Sequence, residues 1–216
     1  MPLAPLAPTR SGRLFRTRRP RRAAGAAIVA LAIAVLTACS SDPVAEQYLS
    51  GDDKGYISAD GFTVVEIAPE NRGEPVEFGG VTEDGEEFHS SDIAGDVTVV
   101  NFWYAGCAPC RVEAADLEAV WQEYQDQGVS FIGINTYDEA DTAKAFAETY
   151  GITYPSLMDV ATGEAKLAFA EATSIQATPT TLVLDKQGRV SARIVGQLEG
   201  ASILSTLVKD ALAESA

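Results

Sequence analysis

Two cysteines separated by two residues, in Cys107-Ala-Pro-Cys110, constrain the fold of this chain more than any other feature. They follow Val97–Trp103, a continuous β-branched and aromatic run that predicts a buried central strand. A helix is predicted over 109–127, because apolar residues recur there at helical spacing and a glycine follows. The first cysteine therefore stands at a helix N-terminus, where unpaired N–H groups and the helix dipole stabilise a thiolate. The second lies one turn further on, within reach for a disulfide.

The residues beside the cysteines suit a redox pair. Pro109 fits the first helical turn, where its missing N–H costs nothing, and Arg111 adds positive charge, so both are candidate modulators. The alternatives are a structural disulfide, half of a zinc site and two buried thiols. A disulfide across so short a loop would add little stability, and a zinc site lacks a second pair of ligands. The pattern predicts a redox-active pair, Cys107 and Cys110, with no metal and no other cofactor.

A Thr178-Pro179 dipeptide leads into a strand predicted over 180–185. Proline is tolerated at the start of a strand, and a cis bond before it would expose the Thr178 backbone to a passing substrate strand. A plain trans turn is the alternative. Beside the cysteine pair we favour the cis bond, and we place Thr178 and Pro179 on the substrate-binding face together with Trp103 and Gly106.

The first 38 residues predict an export signal. Seven arginines between residues 10 and 22 precede a short apolar run over 23–38, a layout typical of secretory signals. That run is shorter than the ~20 residues needed to span a bilayer. It ends in Leu-Thr-Ala-Cys39, which resembles the lipobox of bacterial lipoproteins, so Cys39 is the predicted lipidation site. The alternatives are an ordinary secreted protein and an uncleaved anchor.

The chain therefore divides into a signal peptide of lipoprotein type over 1–38, a flexible tether over 39–60 and one domain over 61–216. The tether is polar with little periodicity, and the composition becomes globular beyond it. From Cys39 onward the chain has 9 basic and 31 acidic residues. So negative a surface repels phosphate backbones, which argues against nucleic-acid binding. We expect the domain at the extracytoplasmic face of the cell membrane, anchored by lipid on Cys39.

Strands and helices alternate over the domain, which then ends in a hairpin and a helix, so an α/β fold with a mixed sheet is predicted. The predicted strands are 62–67, 75–78, 97–103, 129–135, 154–158, 180–185 and 189–195, with a hairpin over 81–89. The predicted helices are 109–127, 140–150, 163–169 and 201–212. The first of these helices has an apolar stripe, which consists of Val112, Leu117, Val120, Trp121 and Tyr124.

Together these motifs resemble thioredoxin-fold proteins of the TlpA/ResA type, which are membrane-tethered thiol–disulfide oxidoreductases of bacteria. The resemblance covers residues 61–216 and includes the hairpin before the central strand, the Asn-Phe-Trp…Cys-x-Pro-Cys core and an extra helix-and-strand segment near 136–170. It implies a thioredoxin-like fold whose central mixed sheet is flanked by helices. It also implies that Cys107 attacks the substrate, that Cys110 resolves the mixed disulfide, and that Pro179 is the cis-proline facing them.

The resemblance implies partners as well. Proteins of this type reduce the haem-binding thiols of apocytochrome c or the cysteines of copper sites, whereas DsbE-like relatives oxidise exported proteins. The expected partners are exported proteins with cysteine thiols or disulfides, and cytochrome c maturation is among the expected roles. A reductant would also need a membrane electron donor of the DsbD/CcdA type, and an oxidant would need a partner that takes its electrons.

Near the cysteines the chain differs from the family or from thioredoxin at three positions, of which the asparagine at position 101 is common in TlpA-like proteins. Gly106 stands where the family usually has Trp, Ala108 where the ResA type has Glu, and Asn101 where thioredoxin has a buried Asp. Asn cannot transfer a proton, so neither familiar acid is present. Glu113, one turn beyond the second cysteine, is the nearest carboxylate by sequence and a third candidate modulator. Its simplest interpretation, which we favour, is a solvated helix residue with local ion pairs.

Two other functions fit a reactive cysteine in this fold. A peroxidase of the peroxiredoxin type needs Thr or Ser three residues before its cysteine, but Tyr104 holds that position before Cys107. A Cu(I) metallochaperone could use the two thiolates, since Cu(I) is a soft ion, although Met158 is the only methionine of the domain. Thiol–disulfide exchange is the favoured function.

Overall fold

The computed structural model describes residues 53–57, 63–170, 172–173 and 175–214. The signal peptide predicted over 1–38 and the lipidation site predicted at Cys39 lie outside the described residues. In the part of the chain that is described, no helix is both long and apolar enough to span a membrane.

The described residues form nine strands and four α-helices. The strands are β1 (Asp53–Ile57), β2 (Thr63–Ile67), β3 (Gly79–Val81), β4 (Glu87–His89), β5 (Val97–Trp103), β6 (Val129–Asn135), β7 (Ser156–Met158), β8 (Thr180–Leu184) and β9 (Val190–Val195). The helices are α1 (Ala108–Tyr124), α2 (Ala140–Tyr150), α3 (Glu164–Ala168) and α4 (Ala201–Ala213). Short 3-10 turns cover Pro69–Asn71 and Ser90–Ile93.

Seven of these strands form one mixed sheet in the order β1-β2-β9-β8-β5-β6-β7. Strand β5 lies inside the sheet, parallel to β6 and antiparallel to β8. Strand β7 extends the parallel part beyond β6. Strands β3 and β4 form a separate hairpin. The α/β architecture with a mixed sheet, an N-terminal hairpin and an α2–β7 insertion is therefore confirmed.

Every residue of β5 is buried, because the sheet is covered on both faces. Val97 and Val99 lie in a core shared with α1 and α4. Val100 and Phe102 lie in a second core, shared with α3 and the segment that precedes β3. This alternation follows the two-residue period of a strand. The loop after β5 leads directly into α1, and the two cysteines lie at this junction.

Two segments differ from their predictions. The strand predicted over 75–78 is wrong, because this segment bonds to two separate parts of the chain rather than to one ladder. Val76 N donates to the Gly188 carbonyl, and the Phe78 carbonyl accepts from Ser90 N. Within the tether predicted over 39–60, residues Asp53–Ile57 instead form β1 and pair antiparallel with β2. The rest of that span lies outside the described residues.

Candidate active site

The junction of β5 and α1 brings the two cysteines together. Cys107 and Cys110 form a disulfide with their Cα atoms 5.3 Å apart, and each residue is 3% exposed. Cys107 is the N-cap of α1, with Pro109 in the first turn, as the sequence predicts. The Cys110 backbone N–H donates to Cys107 Sγ at 3.1 Å. Once the disulfide is opened, this donor and the helix dipole favour a thiolate at Cys107.

The Thr178–Pro179 segment lies against the sulfur of Cys107. The peptide bond between these two residues is cis, which confirms the prediction. The Thr178 carbonyl oxygen is 3.9 Å from Cys107 Sγ. An extended chain that reaches this sulfur therefore finds a backbone acceptor beside it, which is how a strand edge binds a peptide.

Of the other two residues predicted for the substrate face, Gly106 is exposed but Trp103 is only 6% exposed. The Trp103 indole N–H donates to Ser156 Oγ at 3.2 Å, and its ring centroid is 4.4 Å from that of Phe146. The indole also lies close to the backbone of β6 at Gly133. Glycine leaves room for it, because a Cβ at this position would lie 2.7 Å from the indole nitrogen. Trp103 packs in one apolar cluster with both cysteines. It therefore backs the disulfide rather than lining an exposed face.

Helix α1 buries most of the predicted apolar stripe, but Glu113 lies on the buried face and Val112 does not. Glu113, expected to be solvated, is fully buried with 0% exposure, and Val112, expected in the stripe, is 60% exposed. The buried face includes Cys110, Ala114 and Leu117, which recur every three or four residues. Position 113 lies on that face and position 112 does not. The expectation of a solvated Glu113 with local ion pairs is therefore wrong.

Two hydrogen bonds hold the Glu113 carboxylate. Its Oε1 accepts from Asn101 Nδ2 at 3.0 Å, and its Oε2 accepts from the Leu198 N–H at 2.8 Å. Asn101 Nδ2 also donates to Thr181 Oγ1 at 3.0 Å. Burial raises the pKa of Glu113 to about 7, because loss of water disfavours the charge more than these two bonds favour it. The site thus contains a carboxyl group that can take up or release a proton near neutral pH.

Charged side chains fix the loop that presents Cys107. Asp138 Oδ2 accepts from the Ala105 N–H at 2.6 Å and from Asn135 Nδ2 at 3.0 Å. Arg111 Nε donates to the Ala105 carbonyl at 2.7 Å. The sequence assigns Asp138 only to a helix N-terminus, because no local pattern shows which loop it meets. The available signal is Asn135, a polar residue at the end of a buried strand.

The described residues hold no group of three or more His, Cys, Asp or Glu side chains that could bind a metal ion. His89, the single histidine of the chain, is exposed at the end of β4. The prediction that the site works without metal or other cofactor stays a prediction.

A comparison with protein families matches the family model described as Redoxin to residues 66–208. Among characterised relatives, the thiol-disulfide oxidoreductase ResA of Halalkalibacterium halodurans is 29% identical over 107 residues, which are 50% of this chain and 58% of the relative. ResA of Geobacillus thermodenitrificans is 30% identical over 115 residues, which are 53% of this chain and 63% of the relative. The chain thus spans about three fifths of the length of these relatives.

Solved structures show the same fold. A thiol:disulfide interchange protein of the thioredoxin family from Chlorobium tepidum TLS is 34% identical, with a TM-score of 0.61 over 68% of this chain and 100% of that one. A secreted thiol-disulfide isomerase from Corynebacterium glutamicum is 28% identical, with a TM-score of 0.64 over 74% of this chain and 99% of that one. The thioredoxin-like fold implied by the sequence motifs is confirmed.

Proposed function

The chain belongs to the redoxin family, and we propose that it is a thiol–disulfide oxidoreductase whose Cys107–Cys110 pair exchanges electrons with cysteines of other proteins. One observation carries the proposal. The disulfide lies at a helix N-terminus, with the Cys110 N–H donating to Cys107 Sγ at 3.1 Å. Such a site stabilises the thiolate of the first cysteine and makes it the nucleophile.

In the reducing direction, the Cys107 thiolate attacks one sulfur of a substrate disulfide. A mixed disulfide forms, and the other substrate sulfur leaves as a thiolate that takes a proton. Cys110, once deprotonated, then attacks Cys107 Sγ, which releases the second substrate thiolate and leaves the Cys107–Cys110 disulfide. Two electrons pass to the substrate. The same steps in reverse oxidise a substrate dithiol.

Glu113 supplies the proton acceptor that this resolving step needs. It lies one helical turn beyond Cys110, and its pKa of about 7 keeps both protonation states accessible at neutral pH. Thr178 contributes its carbonyl to the substrate backbone, as the 3.9 Å distance to Cys107 Sγ allows. Trp103 packs behind the disulfide and reports its state by fluorescence.

We further propose that the domain acts outside the cytoplasmic membrane, anchored through lipid on Cys39. The basic and apolar segments before this residue support export, and the similar protein from Corynebacterium glutamicum is described as secreted. The partners are then exported proteins with cysteine thiols or disulfides. A membrane electron donor of the DsbD/CcdA type would reduce the disulfide again in a reductant. Cytochrome c maturation is the first role to examine, because the resemblance to the TlpA/ResA type implies it.

The test equilibrates the full chain with thiol–disulfide buffers and follows Trp fluorescence. A cysteine-dependent transition is expected in the native chain and lost in Cys107→Ser and Cys110→Ser. A reduction potential of about −270 mV would indicate a reductant, and one of about −120 mV would indicate an oxidant. Cys110→Ser should also accumulate a mixed disulfide with a substrate, whereas Cys107→Ser should not.

The same preparation separates the alternatives. Absence of any transition that depends on Cys107 and Cys110 would refute the proposal. Peroxide consumption at the rate of a dedicated peroxidase would favour the peroxiredoxin function. Stoichiometric Cu(I) binding without disulfide exchange would favour a metallochaperone. Cys39 is present in both variants, so a signal that survives both substitutions is not due to the pair.

A further inference from the structure

An exposed aromatic residue lies beside the active-site loop and is firmly held there. Tyr137 is 74% exposed, the largest exposure among the large apolar side chains of the described residues. Its backbone N–H donates to Asn135 Oδ1 at 3.1 Å, and the neighbouring Asp138 binds the Ala105 N–H. A single exposed aromatic side chain needs no explanation by itself. One that is fixed to the loop of a reactive cysteine points to a role there.

Tyr137 pairs with a second aromatic residue of that loop. The ring centroids of Tyr104 and Tyr137 are 5.6 Å apart and the rings are tilted by 48°. The Tyr104 carbonyl accepts from the Cys107 N–H at 3.1 Å, so the pair is tied to the nucleophile through the backbone. A Cβ on Gly106 would lie 3.3 Å from the Tyr104 ring. Glycine at this position therefore places no side chain against the Tyr104 ring, which packs partly buried on the cluster that contains both cysteines.

The charges around the pair indicate which side chain it would contact. The Asp138 carboxylate is engaged inward by Ala105 and Asn135. Arg111 is bonded to the Ala105 carbonyl and adds positive charge to the same loop, which disfavours an incoming cation. An aromatic side chain meets no such penalty, and aromatic pairs contribute beyond their buried area.

We propose that Tyr104 and Tyr137 form an aromatic wall that selects substrates with an aromatic side chain next to the reacting cysteine. The proposal rests on the proposed thiol–disulfide exchange. The substrate backbone lies against the Thr178 carbonyl, and the residue beside its cysteine packs on the two rings. The wall sets specificity and takes no part in electron transfer.

The experiment uses the reduced full chain and short peptides whose single cysteine is linked to thionitrobenzoate. Attack by Cys107 on the peptide sulfur releases thionitrobenzoate, the better leaving group, and its colour gives the rate. The peptides differ only in the residue after cysteine, which is Phe, Gly, Lys or Glu. The native chain should prefer Phe over Gly by about three- to tenfold. Tyr137→Ala should lose this preference, and Tyr137→Phe should keep it.

Two controls make the result decisive. Leu167→Ala removes an apolar side chain of similar exposure, 69%, on α3 and should leave the preference intact. Bis(2-hydroxyethyl) disulfide, which is small and has no aromatic ring, should react equally with the native chain and Tyr137→Ala when the reaction is followed by Trp fluorescence. An equal loss with that reagent would place the defect at the cysteine and overturn the proposal. A preference for Lys, or none at all, would also overturn it, whereas failure of every disulfide to react would refute the proposed function itself.

Discussion

Replacing Glu113 by Gln tests whether the buried carboxyl group holds a proton near neutral pH. Glutamine has the same size but cannot ionise. It can accept from the Leu198 N–H, as Glu113 does. If the Asn101 side-chain amide rotates by 180°, its oxygen accepts from the NH2 group of the new glutamine. The same oxygen also accepts from the Thr181 hydroxyl, which already bonds to Asn101. The variant should therefore fold, and any cost of rearranging this network is the same at every pH, so it does not alter the pH dependence.

The expected effect is a change in how stability depends on pH. The folded chain holds the Glu113 proton up to a pKa of about 7, whereas the unfolded chain releases it near the ordinary value of 4.5. Between these values the folded state binds more protons, so the free energy of unfolding falls as pH rises. The difference corresponds to about 3 kcal/mol at 1.36 kcal/mol per pH unit. Glu113→Gln has no carboxyl group at this position and does not lose stability in this way. The free energy of unfolding of the variant minus that of the native chain should therefore rise by about 3 kcal/mol from pH 4.5 to 7.5.

Urea unfolding of the oxidised proteins at pH 4.5, 5.5, 6.5 and 7.5 measures this difference. The free energy of unfolding falls by about 1–3 kcal/mol per M urea, so a difference of about 3 kcal/mol corresponds to a difference of about 1–3 M urea between the unfolding midpoints of the two proteins. Glu123→Gln is the matched control, because it removes an exposed carboxylate from the same helix. Parallel pH curves for the native chain and Glu113→Gln would refute the reasoning, since they would mean that Glu113 ionises alike in both states.

Two further predictions concern other buried contacts. The Arg72 side chain is 3% exposed and bonds to Asp185 and Glu214. Arg72→Met should therefore lower the free energy of unfolding by about 3 kcal/mol. A loss below about 1 kcal/mol would contradict a buried ion pair. Gly133→Ala would place a methyl group 2.7 Å from the Trp103 indole nitrogen. The substitution should lower the free energy of unfolding by about 1–3 kcal/mol and change the Trp fluorescence. An unaltered spectrum and melting temperature would show that this packing is not tight.

Much of the fold could be predicted because its strands are extreme in composition. Val97–Trp103 and Val129–Asn135 are rich in apolar, β-branched and aromatic residues, and their predicted bounds match the observed ones. The helix that contains Cys110 follows from local chemistry, whereas the cis bond before β8 was favoured because the cysteine pair is present. The segment 75–78 has Val76 and Phe78 at strand spacing, but its partners are single hydrogen bonds to distant segments, which no local pattern encodes.

The site was predictable where its residues are adjacent in sequence and not where they meet through space. The cysteine pair is local, whereas the partners of Glu113 come from β5 and from the segment before α4. A stripe defined by apolar residues alone cannot include a glutamate. The sequence therefore predicts Val112 on the buried face instead of Glu113. Spacing alone, taken from Cys110, places position 113 among the buried residues of α1.

The buried network also explains why an amide at position 101 suits this chain. Asn101 donates to Glu113, which stabilises the charged carboxylate, while burial stabilises the neutral acid, and the balance leaves the pKa near neutral. An aspartate there would put two carboxyl groups in one buried site, and one of them would stay protonated because like charges cannot both ionise at that distance. A single acid on α1 with an amide partner on β5 therefore provides one titrating group in this buried network.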